Sequence, residues 1–285
     1  METFTIETDK LDLKIAIVDI ASVRMHEETI PEVVQKLATD LLKDSVLRHP
    51  IIVDEKTIVV LDGMHRAAAL RQIGCVRIPV CLVDYENPSI EVGTWYRTLN
   101  KGGTRSLIEE LVRWNIKTTE SNTQEAKRNL ETGTAAAFIA AKKECFTIEN
   151  KGSDVRQNFQ LVVCIEQVAK SLGYEVDYET ESDALRRLEE GRAQLILVPP
   201  PITKEDVRRH GLRGDLFPHK ATRHIIPARP LGIDVPIEVL RNQDLELQQA
   251  NRQLIEKLKK KPLQILDPGS LIENRRYEEQ VFLFK

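Results

Sequence analysis

The sequence predicts an α+β fold in which short strands and helices intermingle, closed by a long C-terminal helix. Three stretches predict it. Val59-Val60-Leu61-Asp62-Gly63-Met64-His65-Arg66-Ala67-Ala68-Ala69-Leu70 reads as an apolar strand, a glycine turn and the start of a helix. Residues 174–198 read strand, helix, strand, the pattern of an α/β unit. Residues 236–260 carry Leu240, Leu247, Leu254 and Leu258 at helical spacing, with Asn251 in the same seam. That stripe predicts a single helix, either packed as a cap on the domain or paired through heptads.

Taken in order, residues 1–24 predict one or two strands, with Ile15-Ala16-Ile17-Val18 the strongest. A polar loop, Arg24 to Thr29, follows. Thr29 and Glu32 have capping-box spacing, and Pro31 suits a first helical turn, where its missing N–H costs little. Val33, Val34, Leu37 and Leu41 give that helix an apolar face. Ile51-Ile52-Val53 and the strand from Val59 predict a hairpin across Asp54-Glu55-Lys56. Val76 to Val83 predicts another strand, which Pro79 would confine to an edge or bulge. A helix is expected from Ser106 to Trp114, strands at 138–140 and 145–148, a helix from Val155 to Val168 or a strand over 159–165, and helix 184–190 stopped by Gly191. The polar stretch 118–135 marks a domain boundary or a long excursion. With a boundary there, the chain divides into residues 1–120, 121–235 and 236–285. The tail from Pro262 reads as loop, brief helix and terminal strand.

Composition narrows the function classes. The 285 residues are 41% hydrophobic and 30% charged, and the net charge is −3. This is a soluble globular balance, with no global positive field to draw the chain onto nucleic acid. Cys75, Cys81, Cys145 and Cys164 contain no CxxC pair, so a reducing compartment and no structural zinc are expected. The N-terminus lacks an apolar core of signal-peptide type and no stretch approaches a membrane span, so a cytoplasmic location and no membrane partner are expected.

Asp62-Gly63 at a helix mouth offers backbone N–H groups to an anion, and His65 and Arg66 add to that preference. Leu216 to Pro230 packs His219, Lys220, Arg223, His224 and Arg229 into eleven positions, the densest cationic cluster of the chain. With Glu27 and Glu28 ahead of a helix, these parts suit phosphoryl transfer, which needs an anion cradle, positive charge and an acid. No G-x-x-x-x-G-K-[ST] loop, protein-kinase set or H-E-x-x-H zinc site is present.

Asp62-Gly63-Met64-His65-Arg66 resembles the nucleotide-binding signature of the ParB/sulfiredoxin-like fold. His26-Glu27 before a helix, this motif, Trp95, and Thr222-Arg223-His224-Ile225-Ile226-Pro227 together resemble the free L-serine kinases, over residues 10–260. The resemblance implies an N-terminal ParB-like nucleotide-binding domain, a second, smaller α/β domain contributing the serine site, and the long C-terminal helix. It implies a kinase that makes O-phospho-L-serine from free L-serine, with Mg2+ and ADP or ATP as phosphate donor, feeding cysteine biosynthesis or another specialised pathway. Gly63, Met64, His65 and Arg66 would hold the nucleotide phosphates. Asp62 would sit near the transferred phosphate and the metal, with His65 beside it, and Glu27 would take the serine hydroxyl proton, with Glu28 in reserve. Trp95, Thr222, Arg223 and His224 would form the serine site. Met64 stands where relatives vary, which leaves ADP versus ATP open. The expected partners are serine and nucleotide, with nucleic acid not expected and the chain a monomer or homodimer. The alternatives are a ParB-like DNA-binding or nucleotide-hydrolysing protein, or a ligand-sensing regulator of the same fold.

Overall fold

A computed structural model describes residues 2–150, 152 and 154–285. The chain forms two compact units. The first contains residues up to Glu91, Val207–Asp215 and His224–Lys285; the second contains Val92–Asp206 and Leu216–Arg223. Both therefore draw on separated stretches, unlike the sequence-based division at residues 120 and 235. The α+β class is observed.

The first unit is built on a five-stranded sheet ordered Phe4–Ile6, Leu13–Asp19, Arg77–Val83, Ile51–Asp54, Val60–Asp62. The expected hairpin is present, Ile51–Asp54 pairing antiparallel with Val60–Asp62. Arg77–Val83 is the middle strand, so Pro79 is not at an edge. It lies opposite Ile17. Ile17 asks nothing of the missing proline N–H, because Asn251 takes both its backbone groups: Oδ1 accepts from the Ile17 N–H at 2.7 Å and Nδ2 donates to its C=O at 2.9 Å. The Asn251 amide thereby continues the ladder where the first strand stops at the Phe4–Ile15 pair.

Helix Pro31–Asp44 begins with Pro31 at its first position, as expected, but Thr29 forms no capping box. Ile30 is the cap residue, and its N–H donates to the His65 imidazole instead. Val34, Ala38 and Leu41 are buried, whereas Val33 is exposed. The single helix expected over 236–260 is two, Ile237–Arg241 and Leu247–Lys260. The break has a local cause: Asn242 Oδ1 accepts from the N–H groups of Asp244 and Leu245, an Asx turn competing with the helix. Ala250, Asn251, Leu254 and Leu258 turn inward from the second helix. The tail contains strands where a brief helix was expected. Gln280–Phe284 lies between Ala228–Leu231, parallel, and Leu263–Leu266, antiparallel.

The second unit holds an antiparallel six-stranded sheet ordered Glu175–Glu179, Tyr96–Asn100, Leu195–Val198, Ala135–Ala140, Cys145–Glu149, Thr118–Ser121. The expected strand–helix–strand of residues 174–198 is split by Tyr96–Asn100, which slots between its two strands. Both faces of the sheet are covered, which explains why Ala135–Ala140 and Leu195–Val198 are buried throughout. On one face Leu107, Leu111, Val162 and Ile165 pack on Leu99 and Ile139; on the other, Ala126, Leu130, Ala184 and Leu188 pack on Phe138 and Ile196. Residues 118–131 are neither linker nor excursion. They form the edge strand and helix Thr123–Glu131, capped by Asn122, whose side chain accepts from the Glu125 N–H at 2.9 Å.

Burial pushes the thiols of Cys75 and Cys145 up to about 11 and that of Cys81 to about 12, in keeping with apolar core residues. Among the described residues no helix is long and apolar enough to cross a membrane.

Candidate active site

Helix Met64–Gln72 starts from Gly63, which has φ +103° and gives the helix no side-chain cap. Its opening turn is thus built from backbone alone, the arrangement an anion needs. Glycine is required here on two counts. The backbone is left-handed, and a Cβ would stand 2.6 Å from Ile51 Cγ2. Gly63→Ala is therefore expected to lose about 2–4 kcal/mol of stability, read by urea unfolding. A loss below 0.5 kcal/mol would show that the turn relaxes freely.

Asp62, just before this turn, is held by two arginines. Its Oδ2 accepts from Arg66 Nη2 at 2.7 Å and from Arg229 Nη1 at 3.1 Å. Burial opposes its ionisation, but Arg66, Arg229 and Arg275 outweigh this and hold the carboxyl at about 2. The Arg66 side chain also donates to the C=O groups of His49 (3.1 Å) and Pro50 (2.5 Å). It is a brace between the hairpin and Asp62, so only its backbone N–H belongs to the helix mouth. Arg229 is itself paired with Glu279.

The Glu27 loop is pinned on both sides. On one side, His26 is buried. Burial and the neighbouring His224 push its imidazole well below the usual histidine range, against a hydrogen bond with the Val60 backbone, so it is neutral at pH 7. Its ring meets that of His224 edge-on at 5.4 Å, and His224 Nε2 lies 2.8 Å from the Tyr85 hydroxyl. On the other side, the Ile30 N–H donates to His65 Nε2 at 3.1 Å, which puts the His65 proton on Nδ1. Glu27 between them is half-buried, while Glu28 is exposed. Glu27, Asp62, Gly63, Met64, His65, Arg66 and His224 all belong to the first unit.

Trp95, Thr222 and Arg223 belong to the second unit. Lys220 Nζ lies 4.4 Å from the Trp95 ring centroid and Arg223 Cζ 5.7 Å, so one aromatic ring neighbours two cations. Tyr178 stands 6.0 Å from Lys220 and 6.3 Å from the His219 ring. A buried polar core orients both aromatics. Arg97 Nη1 donates to the Trp95 C=O at 2.6 Å and its Nε lies 3.4 Å from Glu166; the Tyr178 hydroxyl donates to Glu166 Oε1 at 2.6 Å. Burial would raise Glu166, but hydrogen bonds from Lys170 and Tyr178 and the Arg97 charge hold it below the usual range. Thr222 is buried at the start of strand Thr222–Ile225. Thr222 and Arg223 of this strand are counted with the second unit and His224 with the first.

No protein-family profile matches the chain. The ATP-dependent L-serine kinase of Staphylothermus marinus is 29% identical to it, over 79% of this chain and 90% of that one. The ADP-dependent L-serine kinase SerK of Thermococcus kodakarensis is 25% identical, over 83% and 96%. This chain is similar to the free L-serine kinases. A solved free serine kinase in complex with AMP has the same fold, with a TM-score of 0.67 and 23% identity, over 84% of this chain and 98% of that one.

Against the pattern expected of a serine kinase, the sequence reading passed over several neighbours. Arg229 and, through it, Glu279 buttress Asp62, and Tyr85 meets His224, all from remote positions. Tyr178 and Lys220 flank Trp95. Lys220 and Arg229 stood in the cationic cluster, and that density was their only signal; nothing local marked Tyr85 or Glu279. Among the described residues no group of three or more His, Cys, Asp or Glu side chains is placed to hold a metal alone.

Proposed function

We propose that this protein phosphorylates free L-serine, transferring the terminal phosphate of ADP or ATP to the hydroxyl and releasing O-phospho-L-serine with AMP or ADP. The observation that carries the reading is the pinned Glu27. Glu27 is half-buried in a loop held between buried His26 and Ile30, whose N–H donates to His65, in the unit whose Gly63 turn opens a helix without a side-chain cap. Similarity to the serine kinases supports it independently.

In this reading Glu27 orients the serine hydroxyl and accepts its proton as the oxygen attacks phosphorus; in a loose transition state orientation comes first. The amides of Gly63, Met64, His65 and Arg66 take the phosphates, and His65 offers Nδ1–H as a further donor. Arg223 grips the serine carboxylate, with Trp95 as an apolar wall and Thr222 and His224 as hydrogen-bonding groups. The acid at position 62 suits Mg2+. It stays ionised, and its contacts with Arg66 and Arg229 both use Oδ2, which leaves Oδ1 for an ion bound mainly by nucleotide phosphates and water. Bound there, Mg2+ would neutralise charge on the phosphate oxygens. Reaction in the cytoplasm, and a product consumed by enzymes that replace an activated phosphate ester, complete the proposal.

The test is mass spectrometry of purified protein incubated with Mg2+, L-serine and either ADP or ATP. Phosphoserine with AMP, or with ADP, identifies reaction and donor together. Absence of phosphoserine from both tubes would overturn the reading in favour of a DNA-binding or sensing role. Within the kinase reading, Arg223→Ala is expected to raise the serine KM about tenfold to a hundredfold, with the nucleotide KM changed less than about threefold. Equal changes in both would remove Arg223 from the serine carboxylate.

A further inference from the structure

The last residues of the chain return to the first unit. Between Leu263–Leu266 and Gln280–Phe284 the chain makes a small hairpin, Leu271–Ile272 against Arg275–Arg276. The two residues at its tip, Glu273 and Asn274, have φ +48° and +64°, the pattern of a type I′ turn. Neither is a glycine, so the tip costs backbone strain that outside contacts must offset.

Those contacts lead to Asp62. At the tip, Glu273 Oε2 lies 3.4 Å from His49 Nε2. The other ring nitrogen of His49 accepts from the Gly232 N–H at 3.1 Å, which leaves the proton on Nε2 for Glu273. The C=O of His49 is one of the acceptors that fix Arg66. At the exit, the buried Tyr277 ring carries two guanidinium groups, Arg275 at 4.8 Å and Arg229 at 5.5 Å from its centroid. Arg229 reaches Asp62, and Glu279 pairs with Arg229. Both ends of the hairpin are thus tied to the groups that brace Asp62 and Gly63.

The charges there do not balance. Arg66, Arg229 and Arg275 face two carboxylates, Asp62 and Glu279, and the first two arginines are already committed to them. Arg275 is exposed and makes no ion pair among the described residues. Its charge still reaches inward, adding to the pull that keeps Asp62 ionised. An exposed guanidinium stacked on a buried ring, over a network whose other arginines are already ion-paired, is poised for an anion from outside.

We infer that Arg275, steadied on Tyr277, is a phosphate ligand of the donor nucleotide. This rests on the kinase reading above. It makes the C-terminal hairpin part of the nucleotide site and Arg275 a residue that responds to the number of phosphates on the ligand.

The test is calorimetric binding of adenosine, AMP and ADP to the full chain, its Arg275→Ala and Arg275→Lys variants, and Arg276→Ala as a neighbouring control. Arg276 is exposed and paired with Glu278 at 3.1 Å, so its loss should leave nucleotide binding unchanged. Arg275→Ala is expected to weaken ADP about tenfold to a hundredfold, to weaken AMP less, and to leave adenosine within about twofold. Lysine should restore part of the ADP affinity. The thermal unfolding midpoint of Arg275→Ala should fall by only a few degrees, because the cation–π contact of an exposed side chain is weak. Unchanged ADP binding in Arg275→Ala, or a parallel loss of adenosine and ADP, would overturn the inference alone. A wild-type chain that binds no nucleotide would overturn the kinase reading and this inference with it.

Discussion

Glu27→Gln is expected to lower kcat for serine phosphorylation by about 10²- to 10⁴-fold while leaving the nucleotide Kd within about twofold. The amide keeps the size of the carboxylate and its ability to accept a hydrogen bond, but it takes up no proton from the serine hydroxyl. The flanking anchors, buried His26 and the hydrogen bond from Ile30 N–H to His65, do not involve the Glu27 carboxylate and should hold the loop in place. The loss should therefore appear in turnover and not in stability. Glu28→Gln is the matched control: Glu28 is exposed, and its variant should turn over as the wild type does. Phosphoserine formation under saturating substrates, with calorimetric binding of ADP, checks both. Turnover within threefold of wild type for Glu27→Gln would remove Glu27 from the chemistry.

What the sequence revealed of this site follows the range of the interactions. The strand, turn and helix of Val60–Gln72 are set by neighbours within a few residues: an apolar run, a glycine able to adopt positive φ, and an alanine-rich helix start. Such a pattern is visible without a structure. The partners of Asp62 are not. Arg66 lies four residues away and could be suspected, but Arg229, and the Glu279 that pairs with it, arrive from far along the chain. The same holds for Pro79. Its proline argued for an edge strand, but Pro79 sits in the middle strand opposite Ile17, whose backbone groups face away from it and are taken by a side chain 172 positions beyond the proline, Asn251. The Leu240–Leu258 stripe promised one helix because periodicity is blind to the Asx turn at Asn242. Thr222, Arg223 and His224 looked like one element, and they are one strand. That strand spans the boundary between the two units, which no local sequence pattern marks.

Asp62→Asn separates the structural share of the arginine network from its chemistry. Arg66 and Arg229 both converge on Asp62 Oδ2, and an asparagine there leaves two guanidinium groups facing each other with no charge between them. Asp62 is 29% exposed, so water screens part of this and the full cost of breaking a buried pair does not apply. The expected loss is about 2 kcal/mol at pH 7, read by urea unfolding. The pH dependence fixes its origin. Folding lowers the Asp62 pKa from 3.8 to about 2, so its contribution is fully present above pH 3.8 and is lost as pH falls through about 2. The wild type should therefore outlast the variant at neutral pH, and the gap should close between pH 4 and pH 2. Unfolding curves that stay the same distance apart over that window would mean that the carboxylate charge is not what stabilises the site. In that case the variant's loss of stability would come from shape, and the arginines would be held mainly by Glu279 and the His49 and Pro50 carbonyls.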